Sequence, residues 1–164
     1  MHRVVKAKRS LAVAAAAVAI AAGVPAMAGA SSAETRDLPP SLTINFNGNN
    51  DEAATASSVG AGFGGKATAK DEAGNEVGTV YDSCDKDAID ANSVEVFCHA
   101  DIVFKGGDQV AFSVVFPIQN PLTAHYPDEF DGVITGGTGN FKGITGAVHF
   151  TNTSLAVYKV DWRI

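Results

Sequence analysis

The strongest period in the chain is a two-residue alternation from Ser93 to Phe104. Val94, Val96, Cys98, Ala100, Ile102 and Phe104 fall on one face, and Ser93, Glu95, Phe97, His99, Asp101 and Val103 on the other, mostly polar face. Such a period places one side of a strand in a core and the other in water. The stretch 41–47 repeats it, with Leu42, Ile44 and Phe46 set against Ser41, Thr43, Asn45 and Asn47. No helical period follows. Instead β-rich runs over 59–70, 76–84, 109–117, 131–135, 144–152 and 154–163 alternate with turn clusters at 71–75 and 105–108. Two longer loops are expected, an acidic one over 85–92 and one over 118–130 that holds Pro121, His125, Tyr126 and Pro127. The pattern predicts an all-β domain of about eight strands at the short spacing of sandwiches and barrels. Strands joined mainly by tight turns form an antiparallel meander, which hides its edges best by closing into a barrel.

The first 30 residues break this pattern. Arg3, Lys6, Lys8 and Arg9 precede an apolar run over 11–24, Pro25 interrupts it, and Ala26-Met27-Ala28 or Ala28-Gly29-Ala30 supplies small residues for cleavage. This three-part layout predicts a secretory signal peptide over 1–30, and the apolar run is short of the roughly 20 residues of a membrane anchor. There is no paired arginine of a twin-arginine leader, and no cysteine of a lipoprotein at the cleavage site. A mobile tether is expected over 31–40, and the barrel domain over 41–164.

Export changes how the charge and the cysteines read. The whole chain has 12 basic and 18 acidic residues, a formal charge of −6. Four bases and none of the acids lie in the leader, which leaves 8 bases against 18 acids and a charge of −10. That balance argues against nucleic acid or an anionic membrane surface as partner. An even pair of cysteines in an exported chain reads as a disulfide, Cys84 to Cys98, tying neighbouring strands.

One segment is distinctive. Gly136-Gly137-Thr138-Gly139-Asn140-Phe141-Lys142-Gly143-Ile144-Thr145-Gly146 offers backbone freedom where a barrel strand bends and re-enters the sheet. It is not a phosphate loop, because the G-x-x-x-x-G-K-[ST] spacing is missing and no helix follows. The segment is similar to the G-G-T-G-x-[FY]-x-G-x-x-G stretch of the allene oxide cyclase-like and dirigent-like barrels. The flanking Val133-Ile134-Thr135 and Ala147-Val148-His149-Phe150 agree with it, and the 77–84 stretch resembles secreted bacterial members. The resemblance implies an eight-stranded antiparallel barrel around an apolar cavity that encloses a small apolar molecule without a cofactor. It implies cyclisation, isomerisation or stereoselective coupling as the activity, guided by proximity and orientation. Of the cyclases' Glu-x-Asn, Asn45 is present and makes the candidate catalytic residue, while Thr43 stands in place of Glu. The arginine that dirigents carry before the last glycine is Thr145 here.

Other chemistry finds little support. His99, His125 and His149 lack metal-ligand spacing, and no metal site is expected. Asp82, Asp85, Asp87 and Asp90 lack the glycine and the closing glutamate of a calcium loop, and read as a solvated acidic loop. No G-x-S-x-G is present, and oxidised cysteines are not nucleophiles. The remaining candidates for lining a ligand cavity are Tyr81, Phe104, Phe112, Tyr126, His149, Tyr158 and Trp162. Apolar residues on both faces of some strands, with Phe97, Val103 and Val115 opposite the core set, point to a homo-oligomer or a covering tail. A non-catalytic carrier of a hydrophobic metabolite, and a solidly packed envelope protein, are the alternatives to an enzyme. N-terminal sequencing of the exported protein is expected to start after Ala28 or Ala30; retention of Arg3 in the exported form would overturn the leader.

Overall fold

A computed structural model describes residues 37–47 and 58–164. The leader expected over 1–30, and most of the tether expected over 31–40, lie outside the described residues. Eight strands follow one another: β1 (Leu42–Asn45), β2 (Gly62–Lys70), β3 (Glu76–Ile89), β4 (Ser93–Phe104), β5 (Gln109–Gln119), β6 (Asp128–Gly137), β7 (Ala147–Ser154) and β8 (Val157–Arg163). Each pairs antiparallel with the next, and β1 pairs with β8, so the sheet closes on itself as a barrel. The all-β, eight-stranded antiparallel barrel expected from the alternation is the fold observed.

Several boundaries differ from the sequence reading, and two of them bear on the interior. β3 runs on to Ile89, through most of the stretch expected to be an acidic loop. Its exposed acids still occupy strand positions, because Lys86 opposite Val96 and Ile89 opposite Val94 continue the ladder with β4 past a bulge. β6 begins at Asp128 rather than Asp131, because Phe130 turns inward opposite Phe150 and extends the pairing. The end of the expected tether is also part of the fold: Pro39 is buried, and the Pro40 carbonyl accepts a hydrogen bond of 2.9 Å from Trp162 Nε1.

Inward residues are apolar at nearly every position. Ile44, Val80, Val96, Ile102, Val110, Val148 and Val160 are almost fully buried and make one continuous core. The outer face carries exposed Lys66, Asp85, Glu95, Asp131, Lys159 and Asp161, charges that the lipid-facing side of a membrane barrel does not tolerate at low cost. Phe97 and Val115 are directly opposed on that outer face and are 42% and 51% exposed.

The two ends of the barrel are built differently. At one end the glycine-rich segment leaves β6, forms a short 3-10 turn (Gly139–Phe141) and returns as β7. The turn drives Phe141 into the barrel, where its ring lies 5.0 Å from that of Phe104, and Ile144 is buried beside it. Gly139 has φ +56° and its missing Cβ would fall on the Asp108 carboxylate; at Gly137 a Cβ would lie 2.5 Å from the Phe141 carbonyl oxygen. The glycines therefore let the chain fold over and seal this end.

Cys84 and Cys98 face each other across β3 and β4 and are joined as a disulfide. By the chain-entropy account, a closed loop of about 15 residues contributes on the order of 3 kcal/mol. Replacing both cysteines by Ala is expected to lower the free energy of unfolding by about that amount. Urea titration of the oxidised protein against the double variant measures it, and coincident curves would refute the assignment.

Candidate functional site

Above the sealed end the barrel is hollow. A cavity of about 700 Å³ opens toward the end formed by the close of β1, the β3–β4 turn, the start of the β5–β6 loop and the β7–β8 turn. Its volume lies within the range of small-molecule sites.

Aromatic rings form much of the wall. Phe112 packs on Phe150 at 5.3 Å, Phe150 on Phe130 at 5.2 Å, and Phe130 stacks on Phe116 at 4.5 Å with an 8° interplanar angle. Tyr158 stands nearly perpendicular to Phe46, Phe116 and Phe130, with centroids 6.1 to 6.2 Å away. Phe63 lies on the β2 side. Offset and edge-to-face pairs of this kind add cohesion beyond their buried area, so the wall holds its shape around an open volume.

Into this wall β3 inserts two charges. The parity that buries Val80 and Cys84 also turns Asp82 and Lys86 inward. Lys86 is 1% exposed, and its ammonium lies 5.8 Å from the centre of the Phe63 ring. Burial raises the Asp82 carboxyl above its ordinary 3.8, opposed only in part by the backbone N–H groups of Gly65 and Asp82. Its Oδ1 is buried with no hydrogen-bond partner among the described residues. The nearby Cys84 sulfur has no proton to give, being in the disulfide.

A polar rim lies near the mouth. Asp128, Asn152 and Tyr158 occupy one cross-strand row over β6, β7 and β8. Gln119 donates to Asp128 at 2.9 Å and accepts from the His125 backbone N–H at 3.0 Å. The Tyr158 phenol is pushed up to about 12, first by burial and then by Tyr126, Asp82 and Asp128. It therefore stays protonated as a donor at neutral pH. Asn152 Oδ1 is a second buried acceptor without a partner. Asp90, at the β3–β4 turn, accepts from the Asn92 and Ser93 backbone N–H groups and from Ser93 Oγ, which holds its carboxyl below the usual range.

The structure sorts the residues proposed from sequence. Phe112 and Tyr158 line the cavity. Asn45 does not: it sits at an outward position of β1, and its Oδ1 accepts from the Asn47 N–H at 2.8 Å. Tyr81 is outward, 48% exposed, with Lys66 over its ring. His149 is outward too, 2.8 Å from Asp131, because Val148 and Phe150 take the inward positions of β7. Phe104 and Trp162 belong to the sealed end, and Tyr126 lies on the β5–β6 loop, outside the lining although near enough to act on Tyr158. The four acids of 82–90 are separated by strand alternation: Asp82 points in, Asp85 and Asp87 out, and Asp90 holds the turn. Sequence reasoning missed Asp82, Lys86 and most of the phenylalanine wall. The signal for the two charges was present, since any strand that buries Cys84 must turn residues 82 and 86 the same way.

Fold and site together define a closed eight-stranded antiparallel barrel with a ligand-sized, aromatic-walled cavity open at one end. A solved structure described as pyocyanin demethylase is similar in fold, with a TM-score of 0.53 and 18% identity over 74% of this chain and 98% of that one. At that identity the likeness speaks for the fold alone. No protein-family model and no curated protein matches the chain.

The raised carboxyl of Asp82 has a consequence for stability. Its native form binds a proton more readily than the unfolded chain does, so ionisation costs stability as pH rises from 3.8 through the raised value. Asp82→Asn is therefore expected to raise the melting temperature at pH 7, with the gain shrinking as pH falls toward 4. A variant destabilised at pH 7 would show that the carboxylate is a structural ion-pair member instead.

Proposed function

We propose that this protein is an exported container that binds one small apolar, aromatic molecule inside its barrel. The observation that carries the reading is the empty 700 Å³ volume walled by phenylalanine rings at one end of an otherwise packed barrel. A solidly filled structural barrel would bury those rings against one another and leave no such space. Export is supported by the leader pattern of residues 1–30 and by the disulfide. Kinship with the allene oxide cyclase-like and dirigent-like barrels is supported by the glycine segment and the strand count.

A second reading, cofactor-free isomerisation or cyclisation of the enclosed molecule, is favoured by one observation. Asp82, with its raised carboxyl, borders the cavity and can exchange a proton with a ligand, while the protonated Tyr158 phenol beside it can donate a hydrogen bond. On that reading Asp82→Asn abolishes turnover and retains binding.

The neutral fluorophore 6-propionyl-2-dimethylaminonaphthalene tests the container directly. Saturable one-to-one binding with a blue-shifted emission is expected, lost in Val114→Trp, which places an indole in the cavity, while the circular dichroism of the sheet is unchanged. Absence of saturable binding by the wild type would overturn the reading.

A further inference from the structure

The cavity wall is apolar, but its uncompensated chemistry has one sign. Among the described residues two buried side-chain atoms lack a hydrogen-bond partner, and both are acceptors: Asp82 Oδ1, on a residue that lines the cavity, and Asn152 Oδ1, in the cross-strand row of Tyr158 and outside the lining. A buried acceptor left unmatched costs free energy that a donor supplied by a ligand recovers. The formal charges about the cavity lean the same way. Asp82 and Asp90 line it, and Asp128 lies close enough to act on Tyr158. Against them stands Lys86, four residues along β3 from Asp82, or roughly 13 Å at the rise of a strand, with its ammonium turned onto Phe63. Phenylalanine and tyrosine rings set at crossed angles surround the same volume. Aromatic faces attract cations, and more strongly where water is excluded.

We propose that the molecule held in this cavity is a flat aromatic cation, seated among the phenylalanine rings with its positive charge and N–H donors toward Asp82. The inference rests on the reading of the cavity as a binding site and adds the charge of its occupant. A neutral hydrocarbon would satisfy the rings and leave the Asp82 acceptor unmatched. An anion would meet Asp82 and the mouth carboxylates. A cation satisfies rings and carboxylate together, and the acidic surface of the chain draws it toward the mouth. Of the titratable groups about the cavity, Tyr158 on β8 interacts with Asp82, Lys86 on β3 and Asp90 at the β3–β4 turn share the lining with it, and Asp128 on β6 and Tyr126 on the β5–β6 loop act on Tyr158. The phenol of Tyr158 is neutral until far above physiological pH, and burial raises the Asp82 carboxyl, so acidification removes the charge at Asp82.

The test compares two fluorescent three-ring amines of similar size, 9-aminoacridine, a cation at neutral pH, and 2-aminoanthracene, which is neutral there. Both carry an amino N–H donor, so their difference reports the protonated ring nitrogen and the charge it brings. At pH 7 the wild type is expected to bind 9-aminoacridine at least tenfold more tightly, and Asp82→Asn to bring the two near parity. Affinity of the wild type for 9-aminoacridine is expected to fall as pH is lowered toward 4, because protonated Asp82 no longer attracts the cation; this titration decides the matter if the variant does not fold. Equal affinities at pH 7, or a preference that survives both Asp82→Asn and acidification, would overturn the cation and leave the container standing. Binding of neither amine, nor of the neutral naphthalene probe, would overturn both.

Discussion

Everything in this molecule depends on the pairing of β1 with β8. Leu42 opposite Val160 and Ile44 opposite Tyr158 close the ring of strands, so each of the eight strands has a hydrogen-bonded neighbour on both sides. Closure also makes inside and outside permanent. Once the first and last strands share a register, each residue in between is assigned to the core or to water by parity alone. The apolar set Ile102, Val110, Val148 and Val160 and the charged set Glu95, Asp131, Lys159 and Asp161 are two sides of that single decision.

The same closure explains why a site exists. A barrel of eight strands has an interior that side chains can either fill or enclose around a small ligand. Here both happen, at opposite ends. Phe141, driven inward by the glycine turn, and Phe104 and Ile144 fill one end. At the other, phenylalanines of β5, β6 and β7 brace one another, Phe46 just past β1 and Phe63 on β2 complete the perimeter, and the centre stays open. Asp82 and Lys86 are held in that apolar wall because β3 has no other face to offer them, and the disulfide at Cys84 fixes the strand between them.

Much of the fold was legible in the sequence because period-two alternation and parity carry the same information. The strand from Ser93 to Phe104 was readable residue by residue, and the inward set read from it is the set observed. The pairing of Cys84 with Cys98 followed from chemistry and compartment. What escaped was depth. Periodicity says which face a residue takes, not whether it lies in the packed half or the hollow half, so Phe104 and Trp162 could not be told from Phe112 and Tyr158. Asn45 was chosen by resemblance, although the alternation of Leu42, Ile44 and Phe46 already set it on the opposite face. Asp82 lay on an expected strand but was grouped with the acids that follow it, and Lys86 fell in the stretch expected to be a loop, which is strand.

The division of the barrel into a sealed half and an open half separates two kinds of evolutionary constraint. Substitutions around Phe141, Gly137 and Val110 act on whether the chain folds at all, since that half holds the dense packing. Substitutions at Phe46, Phe116 and Phe130 change the shape of the cavity and leave the packing of the sealed half in place. Such a molecule can change the shape of its cavity by small steps without passing through an unfolded ancestor.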